Sequence, residues 1–280
     1  MADFIDAGKY GSLGDMSDNS YEQKEQTFKT VFITGQPREN QTPGTMASMV
    51  DFDAGKYLFS KRDTLYIIPL YVKKICEAYR KMPGKDYDKL VYFSWNGVKP
   101  DDNPEAKVGY IIAGMLLDEN MKAVKIDDPD NEGKKIQAVV ALKCTGIKVG
   151  GVIQYLNDLN KKNSEMEPLS NDPQFNRNVI APRRFITKVS VTTADSSHGK
   201  KYVFKIVPEK SLPKESVLEI MNMSTQYSEK FVAQFNRTDS VTQSPQQTSS
   251  AVTSEGSDVS FSDTPQSSSI DDLPKIDLGL

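Results

Sequence analysis

Short apolar runs rich in β-branched and aromatic residues fill the middle of this sequence and constrain its fold more than any other feature. The run at 65–72 is apolar on both faces, which predicts a central strand. Pro69 lies inside this run, and because proline has no N–H to donate to a ladder, it predicts a bulge or an edge there. Similar runs predict further strands at 30–34, 90–95, 108–117 and 136–143.

Two helices and a hairpin are predicted after these strands. Apolar residues recur at helical spacing over about 147–161 and again over about 215–236. Between them, the β-prone segments 184–192 and 200–207 flank a turn sequence, which predicts a β-hairpin. Several strands with a helix packed at the end of a sheet are compatible with a small barrel. The predicted fold class is therefore α+β and mainly β: an OB-like β-barrel with a packed helix, an additional hairpin and a C-terminal helix.

The two ends of the chain differ from the middle in charge and composition. Residues 1–28 hold six acids and two bases, and residues 239–280 hold seven acids and one base. Because the whole chain has a net charge of −3, residues 29–238 carry 32 bases, 25 acids and a net charge of +7. Polar ends cannot bury enough apolar surface to offset their ordering entropy. A flexible acidic N-terminal segment, a basic β-rich body and a disordered acidic tail are therefore predicted at these boundaries.

The scarcity of histidine and cysteine limits the chemistry of the chain. One histidine, His198, and two cysteines, Cys76 and Cys144, cannot form the usual zinc-binding spacings. The cysteines lie in apolar strand-like sequence, where buried free thiols are expected. No glycine-rich phosphate loop is present in the sequence. We therefore expect a binding protein that is not an enzyme and holds no metal or cofactor, with a carboxylate-based metal enzyme as the weaker alternative.

The apolar runs are too short for a membrane span. The longest, at 67–72, is far shorter than the roughly 20 residues that a transmembrane helix needs. Asp3 and Asp6 stand where a signal peptide would carry positive charge. A soluble protein of the cytoplasm is therefore expected.

Aromatic and basic residues alternate closely in the body. Single-stranded nucleic acid is bound by such a mixture, because bases stack on aromatic faces while Lys and Arg follow the backbone. Strand residues point alternately to two faces, so part of the aromatics is expected in the core, and a merely solvated basic face is the alternative. The candidate nucleic-acid-binding residues are Tyr66, Tyr71, Lys73, Lys74, Tyr79, Arg80, Tyr92, Trp95, Lys143, Lys148, Arg183 and Arg184.

The C-terminal tip at 270–280 mixes acids with aliphatic residues after a stretch rich in Ser, Thr and Gln. It resembles the acidic tail of bacterial single-stranded DNA-binding proteins, with Asp271-Asp272-Leu273-Pro274 as the matching core. In that family an aromatic follows the proline, whereas this chain continues to Leu280. The resemblance implies that the tip recruits replication or repair proteins; a solubilising tail is the alternative. The candidate partner-binding residues are Asp271, Asp272, Leu273, Pro274, Ile276, Asp277, Leu278 and Leu280.

The body resembles a group of bacteriophage single-stranded DNA-binding proteins over about 28–160. The matching features are Gly35, Pro43-Gly44, the run at 65–74 and the turn Lys143-Cys144-Thr145-Gly146 before a helix. This resemblance implies an OB-like fold, a role in viral replication or recombination in a bacterial host cell, and no catalysis. A structural or virion-associated protein, whose body and tails serve protein–protein contacts, is the alternative class. Self-association into a homo-oligomer is left open.

Overall fold

The structure is a computed structural model that describes residues 4–5, 28–35, 42–51, 56–81, 88–94, 97–99, 105–128, 132–197 and 199–235. These residues form strands and helices in the following order: β1 (Phe28–Ile33), β2 (Met46–Asp51), β3 (Lys56–Arg62), β4 (Thr64–Lys81), β5 (Asp88–Ser94), β6 (Lys107–Leu117), β7 (Lys125–Asp127), β8 (Lys135–Gln137), β9 (Val139–Thr145), α1 (Val149–Ser164), β10 (Phe185–Ser196), β11 (Gly199–Ser211) and α2 (Lys214–Phe235). A short helical segment, Pro173–Phe175, Asn176–Ile180 and Ala181–Arg183, precedes β10 and is called the 173–183 segment below.

Nine of these strands form one mixed sheet. Its order is β11-β10-β4-β6-β9-β1-β2-β3, and β5 pairs with the far half of β4. The pair of β1 and β9 is parallel, and the other pairs within this sheet are antiparallel. The prediction of a mainly β, α+β fold is confirmed. Within the described ranges the sheet is open, with β11 and β3 as its end strands, so the predicted closed barrel is not found.

The open sheet is nevertheless strongly curved. Gly44 lies in the turn between β1 and β2 with a φ of +79°, and a Cβ added there would come within 2.9 Å of the Tyr202 ring in β11. β11 and β1 are far apart in the sheet order, so their approach means that the sheet curls toward itself.

Helices cover both faces of the central strands. Neighbouring residues of β6, Ile111 and Ile112, belong to different buried clusters because side chains alternate along a strand. α1 buries Val152, Tyr155 and Leu159 in the cluster around Ile112, and the Tyr155 hydroxyl shares a 2.7 Å hydrogen bond with Thr187 Oγ1 of β10. α2 contributes to the opposite cluster, around Ile111.

Most predicted elements are found close to their predicted bounds, but β2, β3 and β7 were not predicted, and β4 continues to Lys81, well beyond the predicted run at 65–72. The run predicted as one strand at 136–143 is divided into β8 and β9, because Ala138 turns away to bond Val124 and Leu116. Cys76 and Cys144 are buried free thiols, as predicted, and burial raises the pKa of Cys144 to about 12. In the described part of the chain, no helix is long and apolar enough to cross a membrane.

Pro69 marks a β-bulge in β4, as its chemistry predicts. The register of β4 against β6 shifts between Pro69 and Tyr71. As a result Leu70 and Tyr71 both join the cluster on the α2 side, although they are consecutive in a strand. Tyr71 is fully buried there, and its hydroxyl donates to the Ser224 carbonyl of α2.

Arg183 occupies the edge of β4 that no strand covers. β10 pairs with β4 only as far as Ile67, and β5 pairs with β4 only from Cys76 onward. In this gap the buried guanidinium of Arg183 donates to the Leu70 carbonyl, to the Val179 carbonyl (2.6 Å) and to Ser224 Oγ (3.1 Å). Its centre also lies 5.8 Å from the centroid of the Tyr71 ring. Burial lowers the pKa of Arg183 to about 10, which still leaves it charged at neutral pH.

The first described residues lie against the body. Ile5 is buried, belongs to the cluster on the α2 side, and donates its backbone N–H to the Leu169 carbonyl over 2.6 Å. Phe4 lines a groove of about 400 Å³ beside Leu169 and Leu212. Phe4 and Ile5 belong to the segment 1–28 that is predicted to be flexible, and Ile5 supplies an apolar contact that the surrounding polar sequence lacks. Residues 6–27 and the predicted tail at 239–280 lie outside the described residues.

Replacing Arg183 with alanine is expected to lower the free energy of unfolding by about 3 kcal/mol, because three buried hydrogen bonds of the guanidinium, to Leu70, Val179 and Ser224, are lost. Urea denaturation followed by circular dichroism measures this. The control is Arg177→Ala in the same segment, where the exposed side chain is expected to change stability by less than about 0.5 kcal/mol. Equal effects of the two substitutions would contradict the assigned role of Arg183.

Ile5→Ala is expected to lower the free energy of unfolding by about 2 kcal/mol, because it removes a buried branched side chain from the core. Phe4→Ala, at a side chain that is 45% exposed, is the matched control and is expected to cost less than about 1 kcal/mol. A melting curve of Ile5→Ala identical to that of the unchanged protein would show that the N-terminal contact does not stabilise the body.

Candidate nucleic-acid interface

A groove of about 510 Å³ lies between β4, β6, α1 and the 173–183 segment. Four of its side chains are cationic, and none of the described residues that line it is acidic. The rest of the lining is apolar or carries an amide or phenol group. The lining consists of Val72, Lys73, Lys74, Tyr110, Ile153, Leu156, Asn157, Asn160, Arg177, Asn178, Pro182 and Arg183.

β4 supplies two of the cations at the point where its outer edge is not paired with a strand. Lys73 is half-buried and Lys74 is exposed, and both line the groove. Gly97 lies beside Lys74 with a φ of +66°, and a Cβ added there would be 2.6 Å from Lys74 Cγ. The absence of a side chain at Gly97 therefore leaves room for the stem of Lys74.

The π-helical turn Asn176–Ile180 supplies Arg177 and Asn178 to the groove wall. Both are exposed, while the following two residues, Val179 and Ile180, are buried. The buried Asn176 side chain fixes the turn: its Oδ1 accepts from the backbone N–H groups of residues 169 and 170, each over 3.1 Å. π-helical turns are rare in proteins, and those that occur often lie at functional sites. This is consistent with a binding role for the segment.

α1 and β6 add apolar and amide surface next to these cations. Ile153 of α1 is 47% exposed, and the polar side chains of Asn157 and Asn160 follow it on the same helix. Tyr110 of β6 is half-buried in the wall of the groove. Bases can contact an aromatic ring and an aliphatic side chain, and amides can hydrogen-bond to base edges.

A second patch lies further along β4 and contains Glu77, Tyr79 and Lys143. The Lys143 ammonium forms an ion pair with the buried Glu77 carboxylate and donates a 2.7 Å hydrogen bond to the Tyr79 hydroxyl. The Tyr79 hydroxyl in turn donates to Glu77 Oε2 over 3.2 Å, and the Lys143 ammonium is 5.3 Å from the centroid of the Tyr79 ring. Tyr79 remains 44% exposed.

The ion pair keeps Lys143 charged. Partial burial opposes the charged ammonium, but hydrogen bonds from Lys143 to Glu77 and Tyr79, together with the negative charge of Glu77, outweigh it and raise the pKa of Lys143. Because its charge is balanced by Glu77, Lys143 contributes little net positive charge to this patch.

The structure gathers only part of the predicted binding residues. Lys73 and Lys74 line the groove, Tyr79 and Lys143 form the second patch, and Arg80 is exposed next to it at the end of β4. The other described candidates are elsewhere. The Tyr66 ring centroid lies 6.0 Å from the Lys188 ammonium, and the Lys148 ammonium lies 5.4 Å from the centroid of the Phe204 ring.

Three of the predicted contact residues, Tyr71, Arg183 and Arg184, have buried side chains. The bulge turns Tyr71 into the core, and the Arg183 guanidinium donates hydrogen bonds at the edge of β4. Arg184 is 5% exposed and donates to Asn163 Oδ1 over 3.2 Å and to the Glu167 carbonyl over 2.8 Å. Of these three, only Arg183 lines the groove, as a buried positive charge behind its wall.

The remaining predictions fall outside the described residues. They are Trp95, the side chain of Tyr92 in β5, and the tip residues Asp271, Asp272, Leu273, Pro274, Ile276, Asp277, Leu278 and Leu280.

Sequence reasoning missed Tyr110, Arg177 and the three groove asparagines. Tyr110 lies inside a predicted strand, where an aromatic is usually core, and Arg177 lies in a connection without periodicity. The asparagine-rich composition of that connection was the one available signal. The described part of the chain contains no group of three or more His, Cys, Asp or Glu side chains that could hold a metal ion.

Comparison of this chain with protein families, curated proteins and solved structures finds no match. The function proposed next therefore depends on the geometry of the groove and on the sequence patterns.

Proposed function

We propose that this protein binds single-stranded DNA with little sequence preference and performs no catalytic step. The observation that carries the proposal is the groove: four cations and no acid among its described lining, beside a tyrosine and three asparagine amides. A polyanion gains from such a lining, and the tyrosine and isoleucine offer surface to bases as well as to phosphates. The curved sheet with a groove against α1 gives the binding surface its OB-like character in this proposal.

The groove suits an unpaired strand. Lys73, Lys74 and Arg177 are placed to meet phosphates, while Arg183 adds positive potential from behind the wall. Bases that are free of a duplex can turn toward Tyr110 and Ile153, whereas bases in a duplex are already stacked and paired. The amides provide donors and acceptors to any base, so they add affinity without demanding one sequence.

The biological setting follows from the resemblances of body and tail. We place the protein in a phage-type replication or recombination system in the cytoplasm of a bacterial host, where it coats and protects the strand. Its acidic tip, with Asp271, Asp272 and Leu273 at the core, recruits replication or repair proteins. Self-association along the strand is part of the same proposal.

The triple substitution Lys73→Ala, Lys74→Ala and Arg177→Ala is expected to weaken binding to oligo-dT by about tenfold or more at 0.1 M salt. Because each lost phosphate contact on a single strand removes about 0.7 from the slope of log K against log salt, the slope should fall by about 2. Fluorescence anisotropy of labelled oligo-dT over a salt series measures both quantities.

The matched control removes three exposed lysines on the β7–β8 side: Lys122→Ala, Lys125→Ala and Lys135→Ala. It changes the net charge equally and should leave most of the affinity intact. Equal weakening by the two triple variants would show that overall charge, and not the groove, binds DNA. Absence of binding by the unchanged protein at low salt would favour the structural or virion-associated alternative.

Removing residues 239–280 is expected to tighten binding to oligo-dT at low salt, because a segment with a net charge of −6 no longer competes for the basic body. The difference should disappear as salt rises, since screening weakens the competition. The same anisotropy titration measures it. Unchanged affinity would mean that the tail serves partners or solubility alone.

A further inference from the structure

A buried carboxylate lies within a strand whose other charged residues nearby are basic. Glu77 is 3% exposed, although Lys73, Lys74, Arg80 and Lys81 lie on the same strand. Burying a charge is costly unless it is paired, and Glu77 is paired with Lys143 and bonded to the Tyr79 hydroxyl. Since the body as a whole is basic, this pair removes a positive charge at a place where a polyanion would otherwise be attracted.

The three residues together make a neutral aromatic surface. The Tyr79 hydroxyl accepts from Lys143 and donates to Glu77, so both of its bonds fix the direction of the ring. A ring held in place loses little entropy when a base stacks on it. The side chain of Lys143 is only 32% exposed, and its charge is already balanced, so a phosphate gains little there.

This patch lies close to the rim of the groove. Lys73 pairs with Ile111 of β6, and Ile111 pairs with Lys143 of β9, so Lys73 and Lys143 lie on one line across three strands. Two strand spacings amount to about 10 Å. They also lie on the same face, because residues directly opposite each other in a sheet share a face. Ile111, which lies between them, is fully buried, so the patch is a separate surface from the groove and would contact a different part of a bound strand.

We propose that Glu77 is a specificity-determining residue, which neutralises Lys143 and positions Tyr79 so that the patch accepts an unpaired base and not a phosphate. The patch then adds affinity for single strands, through stacking, and adds none for a duplex. This inference rests on the proposed binding of single-stranded DNA.

The test compares oligo-dT with a duplex of equal length, each titrated by fluorescence anisotropy over a salt series. Glu77→Gln keeps the size and an acceptor for Tyr79 and Lys143 but frees the Lys143 charge. Binding to duplex should tighten several-fold, its salt slope should steepen by about 0.9, and the preference for single strands should fall. The double variant Glu77→Gln and Lys143→Gln restores neutrality and should return the duplex affinity and slope to their original values.

Two variants of the exposed tyrosine test the stacking part while both charges of the Glu77–Lys143 pair are kept. Tyr79→Ala should weaken binding to oligo-dT about tenfold while leaving the salt slope unchanged, because stacking releases no counterions. Tyr79→Phe keeps the ring but loses both hydroxyl bonds, so its affinity should fall between those of Tyr79→Ala and the unchanged protein.

The outcomes separate this inference from the proposed function. If the unchanged protein binds oligo-dT but Glu77→Gln leaves the preference for single strands and both slopes unchanged, the role of Glu77 is overturned while DNA binding stands. Unchanged affinity of Tyr79→Ala overturns the stacking patch. If the unchanged protein does not bind oligo-dT at all, the proposed function fails, and this inference fails with it.

Discussion

The rest of the structure depends on how the backbone N–H and C=O groups of β4 find hydrogen-bond partners along the whole strand. This strand is too long for any one neighbour on its outer side: β10 covers its beginning, β5 covers its end, and the Arg183 side chain bonds the Leu70 carbonyl between them. An arginine can do this because its planar guanidinium donates in several directions at once. The same guanidinium holds α2 through Ser224 and the π-helical turn through Val179, so sheet edge, helix and groove wall meet at one side chain.

That arrangement explains which parts of the fold could be predicted from the sequence. The apolar strands of the central sheet and α1 were predictable because their patterns are local, whereas β2, β3 and β7 were missed. The bulge at Pro69 was predictable because proline lacks an N–H. Whether the sheet closes into a barrel was not predictable, since closure depends on pairing between segments that are distant in the sequence. The burial of Tyr71 was not predictable either. The bulge changes the face of the sheet to which the following side chains point, and no local sequence pattern indicates that change.

The candidate site was predictable only where it follows one strand. Lys73 and Lys74 are adjacent on β4 and could be found as a basic pair, whereas Tyr110 and Arg177 reach the same groove from segments far away in the chain. Basic residues by themselves did not indicate which were at the surface: Arg183 and Arg184 are both buried, where they donate hydrogen bonds to backbone carbonyls and, for Arg184, to the Asn163 side chain. Buried hydrogen-bond acceptors, and not charge density, account for the positions of these two arginines.

The contact of Ile5 with Leu169 has a consequence for the order of folding. Ile5 shares a buried cluster with Leu169 and Leu212, which lie far away from it in the sequence. Because a contact between such distant positions requires closure of a very long loop, it forms after the local hairpins and helices. Ile5 is therefore expected to be among the last buried residues to reach its native place, and its apolar side chain stays exposed to water until then.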